Sequence, residues 1–214
     1  MTSKSYTGKD IVVTYDASRC IHAAECVRGA PGAFDPTSKP WIQPDNADAA
    51  TLAAVVQRCP TGALTATRTD GTALEAPEAT NSAALQPNGP IYLRGRITHA
   101  GGAHASLVEY TRVAICRCGA SKNRPFCDGS HNKVGFVDAG CCAKAPVSAE
   151  ASPTGAVVLN PIANGPLMVE GRIEFRAADG TMFVSEEKSW LCRCGHSANK
   201  PFCDGTHKKV GFAA

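Results

Sequence analysis

Apolar and polar residues alternate along residues 9–15, which is the period of a half-buried strand, and the same period returns at residues 91–97 and 106–115. Residues 47–58 carry the three-to-four spacing of an amphipathic helix instead, with Asp45 or Asn46 as its expected cap. Residues 63–67 predict a strand that closes this first segment. Further on, Asp179-Gly180 between the apolar stretches 167–176 and 182–185 is a strong local hairpin signal. The Thr/Ala/Pro-rich residues 68–87 and the stretch 139–161 read as linkers.

Sliding the chain along itself exposes a repeat. At an offset of 76, CRCGASKNRPFCDGSHNKVGF (Cys116 to Phe136) lies on CRCGHSANKPFCDGTHKKVGF (Cys192 to Phe212), with 16 of 21 positions identical. The same offset puts NGPIYLRGRI on NGPLMVEGRI, with six of ten identical. The expected organisation is a first domain over residues 1–67 and two related modules over 83–140 and 159–214. Each copy, at about 55 residues, is small to fold alone, so the two are expected to pack side by side about a pseudo-two-fold axis within a monomer. The fold class expected is α+β: a small N-terminal domain followed by two β-rich modules.

Composition narrows the chemistry. At 43% hydrophobic and 19% charged residues the chain can bury a core, and a net charge of +3 is too weak to argue for nucleic acid or an anionic membrane as partner. No run approaches the roughly 20 apolar residues of a membrane span, and the first residues lack the apolar stretch of a secretory signal, so a cytoplasmic protein is expected. The 11 cysteines are an odd count, too sparse for a disulfide scaffold, and point to reduced thiols used as metal ligands.

Each copy carries Cys-x-Cys-x8-Cys-x3-His: Cys116, Cys118, Cys127 and His131, then Cys192, Cys194, Cys203 and His207. Three thiolates and an imidazole suit zinc or an iron–sulfur cluster. Structural zinc sites usually open with Cys-x2–4-Cys, whereas Cys-x-Cys suits one iron of a 2Fe–2S rhomb. Cys127 and His131, four residues apart, are expected on one face of a first helical turn, facing the other iron. Asp128 and Asp204 are expected to cap that turn, with Gly129 and Gly205 bringing the backbone close to inorganic sulfide. Ser121 and Ser197 are expected to hydrogen-bond a ligand sulfur, and Pro125 and Pro201 to stiffen the loop. Ordinary turns use the same residue types, but here they recur around the same four ligands. His99, His104 and His196 lack ligand spacing and read as structural or solvent-facing. The vicinal Cys141-Cys142 pair reads as buried or idle thiols rather than a redox couple.

FCDGSH and FCDGTH, preceded by CRCGASKNRP and CRCGHSANKP, resemble the signature of the CDGSH iron–sulfur domain (mitoNEET-like) family. The resemblance implies one 2Fe–2S cluster per motif, held by three cysteines and one histidine near the surface of a small β-rich module. Members with one motif pair as homodimers, and a chain with two resembles the tandem class that builds the pair within one polypeptide. Thr206 stands where the motif has Ser and keeps the hydroxyl. A membrane anchor is not part of the match. An imidazole in place of a thiolate raises the reduction potential, and a ring nitrogen titrating near neutrality would couple reduction to proton uptake.

Before the repeats stand Cys20, Cys26 and the Cys59-Pro60 pair. Bacterial ferredoxins use Cys-x2-Cys-x2-Cys and a remote Cys-Pro; on that register Ala23 takes the second ligand position and cannot bind iron. CIHAAECVRGAPGAFDP through CPTGAL resembles the divergent single-cluster ferredoxin domain, and that resemblance implies a 3Fe–4S cluster. A 4Fe–4S cluster completed by a nonprotein ligand or by His22, and three reduced cysteines without a cluster, are the competing readings.

The function expected is electron transfer or cluster transfer, serving a redox partner or an apo-protein acceptor. No nucleotide-binding motif, triad order or paired carboxylates stands out, so an independent enzyme is not expected. A zinc-bound interaction module, and an iron or redox sensor that stores clusters, are the alternatives.

Overall fold

The computed structural model describes residues 3–99, 108–142, 153–185 and 187–214. The chain divides into two compact units, Met1–Ala76 and Pro77–Ala214.

In the first unit, strands β1 (Ser3–Thr7) and β2 (Ile11–Asp16) are followed by helices α1 (Glu25–Gly29) and α2 (Ala49–Gln57) and by strand β3 (Leu64–Arg68). The strands form an antiparallel sheet in the order β1-β2-β3. Alternation decides which side faces inward: Ile11 and Val13 are buried from β2, Leu64 and Ala66 from β3. Leu52, Val55 and Val56 of α2 meet them, with Phe34 and Ile42 from the intervening loop. Each such side chain contributes roughly 1.5–3 kcal/mol by leaving water. The cap of α2 is neither Asp45 nor Asn46. Pro44–Asn46 close a separate short 3-10 turn, and Asp48, with extended backbone, accepts from the Thr51 N–H at 2.8 Å.

The second unit holds strands β4 (Ser82–Leu85), β5 (Ile91–His99) and β6 (Val108–Ile115), helix α3 (Ser130–Lys133), strands β7 (Ala156–Pro161), β8 (Leu167–Glu170), β9 (Glu174–Arg176), β10 (Met182–Val184) and β11 (Lys188–Leu191), and helix α4 (Thr206–Lys209). Among the described residues its eight strands form one sheet, β10-β9-β4-β5-β7-β8-β11, with β6 paired to β5. The expected hairpin is present as β9 and β10 around Asp179-Gly180, but its first strand is interrupted at Gly171, where the chain turns with φ +99°.

β4 and β7 lie inside the stretches expected to be linkers. Their short, alanine-containing sequences carry little periodic signal, yet they join the two copies. β4 runs antiparallel to β5 of its own copy and parallel to β9 of the other, while β7 runs antiparallel to β8 and parallel to β5. The registers correspond at the repeat offset: Ser82 opposes Glu174, and Val158 opposes Thr98. Residues 143–152, within the second expected linker, lie outside the described residues. The core, from Ala83 and Ile91 through Val113, Leu159, Leu167 and Phe175 to Leu191, draws on both copies.

Candidate metal centre

The ligand loops hang from the ends of β6 and β11. Ile115 bridges to Phe126, and Leu191 to Phe202. The Cys127 N–H donates to the Ala114 carbonyl and the Cys203 N–H to the Trp190 carbonyl, both at 2.8 Å. Each loop thus folds back on its strand and returns the third cysteine beside the first two.

The donors come together in pairs. Cys116 Sγ and Cys118 Sγ lie 3.6 Å apart, Cys192 Sγ and Cys194 Sγ 3.7 Å. Cys127 Sγ is 3.3 Å from His131 Nδ1, and Cys203 Sγ is 3.3 Å from His207 Nδ1. Two thiolates on one tetrahedral metal, each at about 2.3 Å, stand about 3.7–3.8 Å apart, so each pair suits a single metal. Among the described residues no three Cys, His, Asp or Glu side chains converge on one point. Each motif therefore offers two separate two-donor positions, built from donor types that suit iron–sulfur or zinc. The sulfurs are largely inside: Cys116, Cys127, Cys192 and Cys194 are buried, while both imidazoles are half-buried at the rim.

Cys127 and His131 do not share a helical face. Cys127 precedes the helix, and Gly129, at φ +85°, turns the chain so that His131, in the first turn of α3, swings back over the sulfur. Gly205, at φ +86°, does the same before α4. Only glycine adopts this left-handed turn without penalty, which is its role here. Asp128 is not the cap residue but works beside it: its Oδ1 accepts from the Ser130 N–H and its Oδ2 from the Lys122 N–H. Asp204 binds the Thr206 and Ala198 amides in the same way. Burial raises the Asp128 carboxyl, but these bonds together hold it below the ordinary carboxylate range, and hydrogen bonds from Thr206 and Ala198 lower Asp204 likewise.

Ser121 and Ser197 do not give their hydroxyls to sulfur. Each donates to a carbonyl of its own loop, Phe126 or Phe202, at 2.6 Å and accepts the amide of Asn123 or Asn199. Sulfur is met by backbone N–H groups instead: Gly129 to Cys127 at 3.4 Å, Gly205 to Cys203 at 3.4 Å and His196 to Cys194 at 3.5 Å. The hydrogen bond from Cys116 lowers the Cys118 thiol to about 7 and, in return, raises Cys116, which burial raises further. Burial lifts Cys127 to about 11. Metal loading at neutral pH must therefore expel protons from buried thiols. Burial lowers His131, with a further push from Arg117, against the opposing pull of Asp128.

Sequence reasoning missed the braces around these loops. A Cβ on Gly119 would stand 2.6 Å from the Cys194 carbonyl oxygen, and one on Gly195 2.7 Å from the Cys118 carbonyl oxygen, so the two ligand loops touch backbone to backbone. Arg117 and Arg193, between the paired cysteines, are buried and donate from Nε to the Gly89 and Gly165 carbonyls at 2.7 and 2.8 Å. An Arg held between two cysteines in both copies was the available signal. Cys141 and Cys142 are not drawn to these sites: Cys141 Sγ lies 3.9 Å from the Ala139 carbonyl, and Cys142 packs against the core. His99 packs on Phe126 and burial lowers it; His104 lies outside the described residues.

In the first unit, Cys20, Cys26 and Cys59 line one cavity of about 1090 Å³, together with Tyr15, His22, Ala23 and Trp41. The connecting loop holds His22 and Ala24 in left-handed conformations, at φ +58° and +61°. Arg19 bonds the Thr61 carbonyl and Arg28 the Ala23 carbonyl, tying the loop to the Cys59 segment and to α1. The Tyr15 phenol, raised mainly by burial and also by its hydrogen bond with Cys20, and the Thr61 hydroxyl, 3.5 Å from Cys59 Sγ, both reach thiols. Burial raises the Cys26 thiol as well. Neither hydroxyl was singled out in the sequence, because strand and loop positions do not reveal which side chains converge. The three thiols share this cavity, but among the described residues they are not gathered into one three-donor group.

The fold and donor sets agree with comparisons to known families. A family described as iron-binding zinc finger CDGSH type matches residues 88–132 and 164–208, and one described as divergent 4Fe-4S mono-cluster matches residues 6–69. The chain thus carries two CDGSH-type iron-binding motifs in tandem, preceded by a divergent 4Fe-4S mono-cluster domain. That N-terminal part is 44% identical over 61 residues to an uncharacterized protein, YjdI, of Escherichia coli K12, and equally to YjdI of E. coli O157:H7. The match spans 28% of this chain and 80% of the relative. No helix among the described residues is long and apolar enough to cross a membrane.

Proposed function

We propose that the chain is an electron-transfer or cluster-transfer protein carrying two 2Fe–2S clusters. One is held by Cys116, Cys118, Cys127 and His131, the other by Cys192, Cys194, Cys203 and His207. A third cluster, 3Fe–4S on Cys20, Cys26 and Cys59 alone or 4Fe–4S with one further ligand, belongs to the N-terminal domain. The observation that carries this reading is the pairing of donors, sulfur with sulfur and sulfur with Nδ1, twice in the same geometry. The two copies form an intramolecular pseudo-dimer, a reading supported by the parallel pairings at equal offset and by the reciprocal approach of Gly119 and Gly195.

Each bound 2Fe–2S cluster would supply one electron of redox capacity at modest potential. The chain's own residues set the conditions. Backbone amides of Gly129, Gly205 and His196 stabilise charge on the ligand sulfurs, and the Asp128 and Asp204 bonds keep the loops closed. His131 and His207 present Nδ1 to the site and leave Nε2 without a protein hydrogen bond among the described residues, at a half-exposed edge where a proton can enter. Such a protein serves a partner, donating electrons to an enzyme or a cluster to an apo-protein, rather than turning over a substrate itself.

Metal and acid-labile sulfide analysis with the visible spectrum of purified protein tests the reading. Iron and sulfide in equal amounts at the two CDGSH sites are expected. An oxidised-state EPR signal is expected from a 3Fe–4S centre, since oxidised 2Fe–2S is silent. Zinc with no sulfide and no colour would replace the reading with an interaction module.

A further inference from the structure

Two thiols of the first unit are met by side-chain hydroxyls. In the CDGSH loops, by contrast, Ser121 and Ser197 bond carbonyls and the ligand sulfurs meet backbone amides. Thr61 is buried and fixed from several sides. Its carbonyl accepts from Arg19, its hydroxyl oxygen accepts the Ala63 N–H at 3.1 Å, and that oxygen lies 3.5 Å from Cys59 Sγ. A hydroxyl that accepts an amide keeps its own proton to give. A free thiol donates or accepts, but a metal-bound thiolate only accepts, so once Cys59 is a ligand the shared proton comes from Thr61.

Tyr15 repeats the arrangement from β2. It pairs with Leu64 of β3, and the Asp16 N–H beside it donates to the Ala63 carbonyl at 2.7 Å, which holds the end of β2 against the Thr61 segment. Its ring stands edge-on to Trp41 with centres 4.9 Å apart, and its phenol hydrogen-bonds Cys20. Cys26, in α1, meets the Val27 backbone instead. Both hydroxyl-bearing residues line the same cavity as the three cysteines. A cluster takes its thiolates on separate irons, so thiols spread around one cavity match its donor chemistry, where a single ion would need them gathered.

We propose that Thr61 and Tyr15 donate hydrogen bonds to the Cys59 and Cys20 thiolates of the N-terminal cluster and so raise its reduction potential. Reduction adds one electron and leaves more negative charge on the ligand sulfurs. A donor aimed at sulfur therefore stabilises the reduced state more than the oxidised one. Thr61, only 3% exposed, has little water at hand to take its place. Both are positioning residues that act through sulfur and do not touch iron. The inference rests on the reading that places a cluster in this domain.

The test is an EPR-monitored potentiometric titration of the full chain, with dithionite supplying the one electron that reduces the centre. The N-terminal signal is the one abolished by Cys26→Ala. Thr61→Val, which keeps the shape and removes the hydroxyl, is expected to move the midpoint of that signal to more negative potential. Thr61→Ser is expected to hold it near the wild-type value, and Tyr15→Phe to lower it independently. The CDGSH midpoints, in the other unit, should stay in place in all three. A loaded Thr61→Val centre with an unmoved midpoint would overturn the inference and leave the cluster reading intact. So would a Thr61→Ser midpoint displaced as far as that of Thr61→Val, or an equal shift at the CDGSH centres. If Thr61→Val does not take up its cluster, Tyr15→Phe decides by the same criterion. A wild-type protein whose iron and sulfide are all accounted for by the CDGSH sites would overturn the N-terminal cluster and the inference together.

Discussion

Ser121 and Ser197 illustrate what a single side chain does in these loops. Their hydroxyls tie a carbonyl and an amide of the same turn, which braces the cradle without touching sulfur. Ser121→Ala is therefore expected to lower stability by about 1–2 kcal/mol in thermal or denaturant unfolding. The visible absorption should keep its position; a displaced maximum would return the hydroxyl to the sulfur. The histidines are expected to behave differently. His131→Cys combined with His207→Cys should keep the colour and flatten the pH dependence of the potential, and an unaltered slope would refute the proton-coupled role. Acid sensitivity separates the two kinds of residue. Burial favours the neutral His131 ring, so the folded state is penalised as pH falls below about 6.5. The lowered Asp128 and Asp204 carboxyls stabilise the loop above the ordinary value of about 3.9 and release it only as pH falls through their lower folded-state values. Bleaching that begins as pH falls below about 6.5 thus reports His131, and bleaching confined below about pH 4 would assign it to the aspartates.

At the scale of elements, the contact between the two ligand loops is set by glycine. An alanine at Gly119 would meet two penalties, a left-handed φ of +77° and a backbone oxygen at 2.6 Å. Gly180, in the β9–β10 turn, has φ +87° but nothing within 4 Å of its missing Cβ. Gly180→Ala is expected to cost about 1 kcal/mol for conformation alone, and Gly119→Ala a further 1–3 kcal/mol for the collision. Equal losses in chemical denaturation would show that the loops separate without cost. The same scale explains where sequence reading faltered. β2 and α2 announced themselves through periodic burial, whereas β4 and β7 are short, and beside one neighbour in its own copy each pairs with a strand of the other copy more than 50 positions away. The helical turn expected to hold both Cys127 and His131 proved to be a glycine turn followed by one turn of helix, because the spacing of four is satisfied equally by either conformation.

For the whole molecule, the second unit already contains both halves of its sheet. Each copy supplies a strand, β4 or β7, that the other copy pairs in parallel, and the core is continuous across them. On the proposed pseudo-dimer reading the chain completes its own pair, and a monomer is expected by light scattering at micromolar concentration. An obligate homodimer that dissociates only on unfolding would count against this. The duplicated scaffold also makes departures from symmetry informative. Asp138 where the second copy has Ala214, and Arg124 where it has Lys200, stand out because the residues around them repeat.

The candidate ligands could be named from the chain alone: duplication around Cys-x-Cys-x8-Cys-x3-His is a chemical statement that survives without coordinates, since donor type and spacing are properties of the covalent sequence. So was the division between an N-terminal segment with its own strand and helix periodicity and a repeated remainder. Tertiary structure alone decided which donors pair, that Ser121 faces a carbonyl, that Tyr15 and Thr61 reach the thiols of Cys20 and Cys59, and that Arg117 meets the Asp138 carboxylate. Those facts depend on distances between residues far apart along the chain, and local periodicity carries no information about which remote backbone will close the contact.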